Sequence, residues 1–245
     1  MNSSMDKDSD RKEIADTFVD AAIRNLGRND RMKSVETVPE PMIDPTDVRS
    51  IDSVAWQTVS STVTDADLDE LEVALGLQYP TLYRDLLQLV HFMELSVLGI
   101  NFFQHDIVTW RLTLENAYRH AWKPQRIVGV GLIPFAVGGP YDVGPVCFDT
   151  REMVDGDCRV VYWDHKRVGT EQEVSMVFSS FERMLLSMTF AANQAIDFVH
   201  HDEDDDPNSL PVKRELLKQF LALDADGAGG PGLRYWTSFG VSVAE

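Results

Sequence analysis

Apolar positions along this chain change their period several times, and each change marks an element. From Arg11 to Leu26 they fall at Ile14, Phe18, Ala21, Ala22 and Leu26, the spacing of a one-sided amphipathic helix that stops at Gly27. Residues 1–10 ahead of it are polar and read as disordered. Such a helix needs a surface to pack on: it either docks on the rest of the chain or offers its stripe to a partner, a second copy included. Pro39, Pro41 and Pro45 make residues 28–50 a linker, and Ile51, Val54, Trp56 and Val59 suggest one strand between Ser50 and Val63.

Thr64 then offers an N-cap with Asp67 in the capping-box position. Leu68, Leu71 and Leu75 follow on one face and Gly76 closes the run, which predicts a helix over Asp65–Leu75. Pro80 opens a second helix in its first turn, with an apolar stripe of Leu82, Leu86, Leu89, Val90 and Met93. Val97–Phe103 reads as a strand. Thr109–Trp122 reads as a helix, with Leu112, Asn116 and Arg119 three or four apart.

Between Arg126 and Met188 the pattern shortens to β-branched and aromatic runs separated by Gly, Pro and Asp turns, then a helical segment. That predicts an antiparallel meander capped by a helix near Phe178–Phe190, which the pattern allows to continue through Ala191 to Val199. Past the acidic run Asp202-Glu203-Asp204-Asp205-Asp206, a last helix starts at Ser209 and reaches Leu223, and the glycine-rich tail from Gly227 reads as flexible. The order of elements implies an α+β fold. Its parts are an N-terminal extension over 1–59, a main domain over 60–190, and an acidic linker, helix and tail over 191–245.

Composition adds one unusual fact, a formal charge of −18 spread along the whole chain. Such a field repels nucleic acid and anionic membranes, and it steers basic partners in; it also serves solubility alone. Two cysteines, Cys147 and Cys158, are too few for a disulfide framework and read as free thiols of a reducing compartment. The first residues lack an apolar signal segment and no run of about 18 apolar residues exists, so a cytoplasmic protein is expected.

Candidate chemistry is sparse. His165 beside Asp164 and His105 beside Asp106 look like acid–base pairs, but neighbours on a strand point to opposite faces. His200-His201 before five acids reads as a solvated charge run rather than a metal site. Asp224-Ala225-Asp226-Gly227 has its glycine two positions early for a calcium loop and lacks the distant glutamate. Gly129, Gly131, Gly138 and Gly139 lack the strand–glycine–helix context of a phosphate loop. No catalytic residue, cofactor or metal is expected.

Several runs, taken in order, resemble the SUKH superfamily, the Smi/Knr-type domains. Leu68-Asp69-Glu70-Leu71-Glu72-Val73-Ala74-Leu75-Gly76-Leu77-Gln78-Tyr79-Pro80-Thr81-Leu82-Tyr83-Arg84-Asp85-Leu86-Leu87 is similar to its opening: an acidic helix, a Gly, a Pro, and an aromatic/basic helix with a Leu pair. Leu132-Ile133-Pro134-Phe135-Ala136, Val146-Cys147-Phe148-Asp149 and Val160-Val161-Tyr162-Trp163-Asp164-His165 look like its strands, and Phe178-Ser179-Ser180-Phe181-Glu182-Arg183-Met184-Leu185 like its closing helix. The match departs at Val90-His91-Phe92, where many members have an Asn-Gly turn. The resemblance covers about residues 60–190 and implies a curved antiparallel sheet flanked by helices.

It also implies non-catalytic partner binding. Bacterial members resemble immunity proteins that neutralise toxins, often nucleases, of interbacterial secretion systems; fungal members are partner-binding proteins of cell-wall regulation. The expectation is therefore an immunity protein for a basic toxin, or alternatively a regulatory or scaffold module. The residues expected to touch the partner are Tyr141, Asp142, Asp149, Tyr162, Trp163 and Asp164, which sit at strand ends and turns of the meander. Aromatics there would anchor and carboxylates would pair with Arg or Lys, while about half the set would be structural, Trp163 in the core and Asp142 in its turn among them.

Overall fold

The computed structural model describes residues 2–46, 53–121, 123–139, 144–171, 173–195 and 210–238. Helix α1 (Asn2–Arg28) begins earlier than the apolar spacing predicts and takes in residues 2–10, which the sequence read as disordered. The linker after it is packed down: β1 (Lys33–Ser34) pairs with β2 (Val54–Ala55), Ile43 bridges to Trp56, and Val38, Met42 and Trp56 are buried. In place of one strand between Ser50 and Val63 there are two, β2 and β3 (Val59–Ser60).

Helix α2 (Asp65–Leu75) has the predicted bounds. Thr64 accepts from the Asp67 N–H, the Asp67 carboxylate accepts from the Thr64 N–H, and Gly76 ends the helix at φ +65°. Helix α3 (Thr81–Leu89) stops before the apolar stripe does. Val90-His91 form β4 and pair with β3, so Val90 and Met93 join the core from extended chain. Pro80 is the N-cap of α3 rather than a residue of its first turn.

The expected strand over Val97–Phe103 is a hairpin, β5 (Ser96–Val97) and β6 (Ile100–Phe102), turning through Leu98 and Gly99 at φ +52° and +71°. Both turn residues at positive φ match the right-handed strand twist. After α4 (Trp110–Arg119) come β7 (Leu132–Gly138), β8 (Gly144–Val154), β9 (Asp157–Trp163) and β10 (Val174–Phe178). Together they make a curved six-stranded antiparallel sheet in the order β5-β6-β7-β8-β9-β10. A bulge places Phe135 between the paired residues Pro134 and Ala136, where the missing proline N–H is tolerated.

The sheet is covered on both faces. On one, Phe135 stacks on Phe148 at 4.0 Å, and Phe181 of α5 (Phe181–Asn193) and Tyr83 of α3 meet them edge-on. Burying each such ring contributes roughly 1.5–3 kcal/mol. Ala15, Phe18, Ala22 and Leu26 of α1 join that core, as do Leu217 and Phe220 of α6 (Leu210–Leu223) and Trp236 of α7 (Leu233–Thr237). The N- and C-terminal helices therefore pack on the middle region. On the opposite face, Ile127, Leu132, Cys147, Val161 and Trp163 form a second small cluster.

The tail expected to be flexible is folded from Asp224 to Ser238. The Asp224 carboxylate accepts from the Ser179 N–H and hydroxyl and from the Ala228 N–H. A Cβ at Gly227 would lie 2.1 Å from the Ser179 nitrogen, so the glycine is required by close approach. Continuation of α5 through Val199 meets its limit at Asn193; residues 196–199 lie outside the described residues.

Candidate partner-binding surfaces

The meander residues singled out by sequence separate in space. Asp149 faces Arg159 across β8 and β9 and is 1% exposed. Its oxygens accept from Arg151 Nε at 2.7 Å, Arg151 Nη2 at 2.8 Å and Arg159 Nη2 at 3.0 Å. Burial alone would raise its pKa, but the hydrogen bonds and charges of the two guanidinium groups outweigh it and hold the carboxyl below its ordinary value. Tyr162 and Trp163, adjacent on β9, point to opposite faces. Tyr162 is buried on the core side with its ring 5.6 Å from Tyr235, and Trp163 is buried in the second cluster.

Asp164 caps the 3-10 turn His165–Arg167, accepting from the Lys166 N–H at 2.9 Å and pairing with Arg167 Nε at 3.1 Å. Tyr141 and Asp142 lie outside the described residues. The described carboxylates of the set thus already hold the chain's own cations, and its described aromatics are buried.

Glu173, which sequence reading passed over, is the hub beneath this face. It accepts from Trp163 Nε1 at 3.0 Å, the Gly169 N–H at 2.6 Å and Arg126 Nη1 at 2.9 Å. The Gly169 N–H above all, with Trp163 and Arg126, holds its pKa below the ordinary value. No local motif marks it, because its partners come from three separate segments.

A cluster of carboxylates sits elsewhere, on α2. Asp65, Asp69 and Glu72 recur at helical spacing on the flank of the Leu68-Leu71-Leu75 stripe that faces α3. Arg84 of α3 gathers all three: Nη1 donates to Glu72 at 2.7 Å, and Nη2 to Asp69 at 2.8 Å and to Asp65 at 3.2 Å. Glu72 also accepts from the Tyr79 N–H at 2.8 Å. On the other flank Arg111 of α4 donates to Glu70 at 3.0 Å and to Glu115 at 3.1 Å. Carboxylates still outnumber these two cations, so the face stays acidic. The spacing of 65, 69 and 72 was the available sequence signal for it.

The two histidine–aspartate pairs are not dyads. His105 and Asp106 are both buried, but the Asp106 carboxylate holds the turn that leads into α4, accepting from the N–H groups of Val108 and Thr109, the Thr109 hydroxyl and Gln104 Nε2. His105 Nε2 lies 2.8 Å from the Leu87 carbonyl. Asp164 is engaged with Lys166 and Arg167 as described. Among the described residues no group of three or more His, Cys, Asp or Glu is arranged to hold a metal ion, and no helix is long and apolar enough to cross a membrane. His200 and His201 lie outside the described residues. Cys147 and Cys158 are free, buried in different clusters, and burial pushes the Cys158 thiol up to about 12.

A curved antiparallel meander flanked by helices defines an α+β domain. The sequence profile of the SMI1-KNR4 cell-wall family, SUKH_5, matches residues 47–186, more than half of the chain, and the chain belongs to that family. No curated protein matches the chain.

Proposed function

We propose that this protein is an immunity protein that binds a cognate, basic toxin stoichiometrically and neutralises it. The observation that carries the reading is membership of the SUKH family in a chain of charge −18, with a carboxylate cluster on the family's own opening helix. A basic nuclease domain is the partner such a field steers in, with association that weakens as salt rises. Tyr141, Asp142 and Asp164 are proposed as contacts at the ends of the meander strands. Asp149, Tyr162 and Trp163 would support that surface from beneath. The reaction is recognition, with cytoplasmic action on a toxin before or as it reaches its substrate.

The cell-wall description of the family favours a second reading, a regulatory or scaffold module acting on partners of the same cell. Co-purification with the product of the adjacent gene, followed by a toxicity rescue assay, separates the two. A tight complex with rescue is expected; no complex and no rescue would transfer the case to the regulatory module.

A further inference from the structure

Three large apolar side chains stand out of the fold on two touching helices and the turn that leads into the second. Val73 on α2 is 83% exposed; Val108, in the turn leading into α4, and Leu112, on its first turn, are 72% and 58% exposed. The Glu70–Arg111 ion pair joins the helices beside them: Glu70 lies one turn before Val73, and Arg111 is next to Leu112. Scattered apolar residues on a surface are ordinary, but apolar residues on adjoining helices within a charged rim mark an interaction surface.

The rim says what kind of partner fits. Asp69, Glu70 and Glu115 border the apolar residues, and each is already held by Arg84 or Arg111. Side chains fixed before binding lose less freedom on association. A second copy of this chain would bring the same acidic rim and the same net charge against it, which is repulsive. A segment with Lys or Arg along one side and apolar residues along the other satisfies both the rim and the centre.

We propose that the α2–α4 ridge, centred on Val73, Val108 and Leu112, docks a basic amphipathic segment of the protein partner. This adds a second contact face to the meander ends of the binding reading above and rests on that reading.

The probe is a synthetic helical peptide with leucines on one side and lysines on the other, compared with a scrambled peptide of the same composition. Both are titrated by fluorescence anisotropy against the full chain. The ordered peptide is expected to bind more tightly than the scrambled one. Val73→Gln with Leu112→Gln should weaken it by about tenfold, as removal of central apolar contacts does. Asp69→Asn should flatten its salt dependence, and Val154→Gln, at an exposed valine on the β8–β9 hairpin, should change nothing. Equal binding of the two peptides, or equal affinity in the double variant, overturns the ridge.

The same double variant is then tested against the toxin. Undiminished neutralisation by a folded double variant overturns the ridge and leaves the immunity reading standing. Peptide binding on the ridge without any toxin complex keeps the ridge and removes the immunity reading.

Discussion

The imidazoles of His91 and His105 lie 4.8 Å apart, inclined by 30°, and both are buried. The pair ties three segments together. His91 Nε2 accepts from the Thr62 N–H, its Nδ1 faces the His105 carbonyl at 3.1 Å, and His105 Nε2 faces the Leu87 carbonyl at the end of α3. With Thr62 donating to one nitrogen of His91, that ring is neutral. Burial lowers both pKa values; the repulsion that a protonated His91 would exert lowers His105 further, down to about 3, against the opposing pull of the Leu87 carbonyl and Asp106.

The first prediction follows from the sign of those shifts. The folded pKa lies below the unfolded value near 6.5, so the unfolded chain takes up protons first as pH falls. The stability contributed is complete above pH 6.5 and is lost as pH falls from there, for His105 towards 3 at up to about 1.4 kcal/mol per pH unit. Urea unfolding between about pH 7 and about pH 5, above the usual carboxylate range, should show the loss, and His105→Gln should flatten it while lowering stability at neutral pH. An unchanged slope in that variant would assign the acid sensitivity to other groups.

Phe135 and Phe148 carry the centre of the core. Their rings stack at 4.0 Å and neither is exposed. Phe148→Ala should lower stability by about 3–5 kcal/mol, enough to unfold a marginal domain, and chemical denaturation measures it directly. A loss below about 1 kcal/mol would mean that the site collapses around the gap.

Trp236 covers an edge of the sheet. Its indole N–H donates to the Val177 carbonyl of β10 at 3.0 Å, and its ring packs on Phe178 and Phe220. Removing residues 224–245 should uncover that edge and give concentration-dependent self-association in light scattering. Trp236→Phe, which keeps most of the ring and removes the donor, should cost about 1–2 kcal/mol and leave the protein monodisperse if it was so before.

Arg84 holds three carboxylates against one another's repulsion. Arg84→Ala should destabilise the protein by about 1 kcal/mol, since Asp65 and Asp69 are largely exposed and water already screens them. Added salt should recover part of the lost melting temperature. Arg84→Lys should recover less than the full amount, because an ammonium lacks the fork that reaches Glu72 and Asp69 together.

Local chemistry made much of this fold legible in advance. Helix α2 was readable to the residue because its start and stop are short-range events: Thr64 with Asp67 at one end, Gly76 at the other. Strands β7 to β9 were readable as a meander from their apolar runs and the Asp155-Gly156 turn, whose residues lie at φ +51° and +79°. The helical spacing of Leu112, Asn116 and Arg119 predicted α4, but that stripe faces water and the buried residue is Leu114. Period identifies a helix; which side is buried depends on what arrives beside it.

The sequence by itself determined the element types, the family and the acidic character of the surface, because these rest on neighbouring residues and on totals. Only the tertiary structure decided that α3 yields to strand at Val90, where Val59 and Ser60 supply pairing partners. It alone turned Leu98, an unlikely turn residue, to positive φ between β5 and β6. It alone sent Asp149 inward to Arg151 and Arg159 while leaving the α2 carboxylates outside. Charge and hydrophobicity are properties of a residue, but burial and pairing are set by segments that folding brings together from far along the chain.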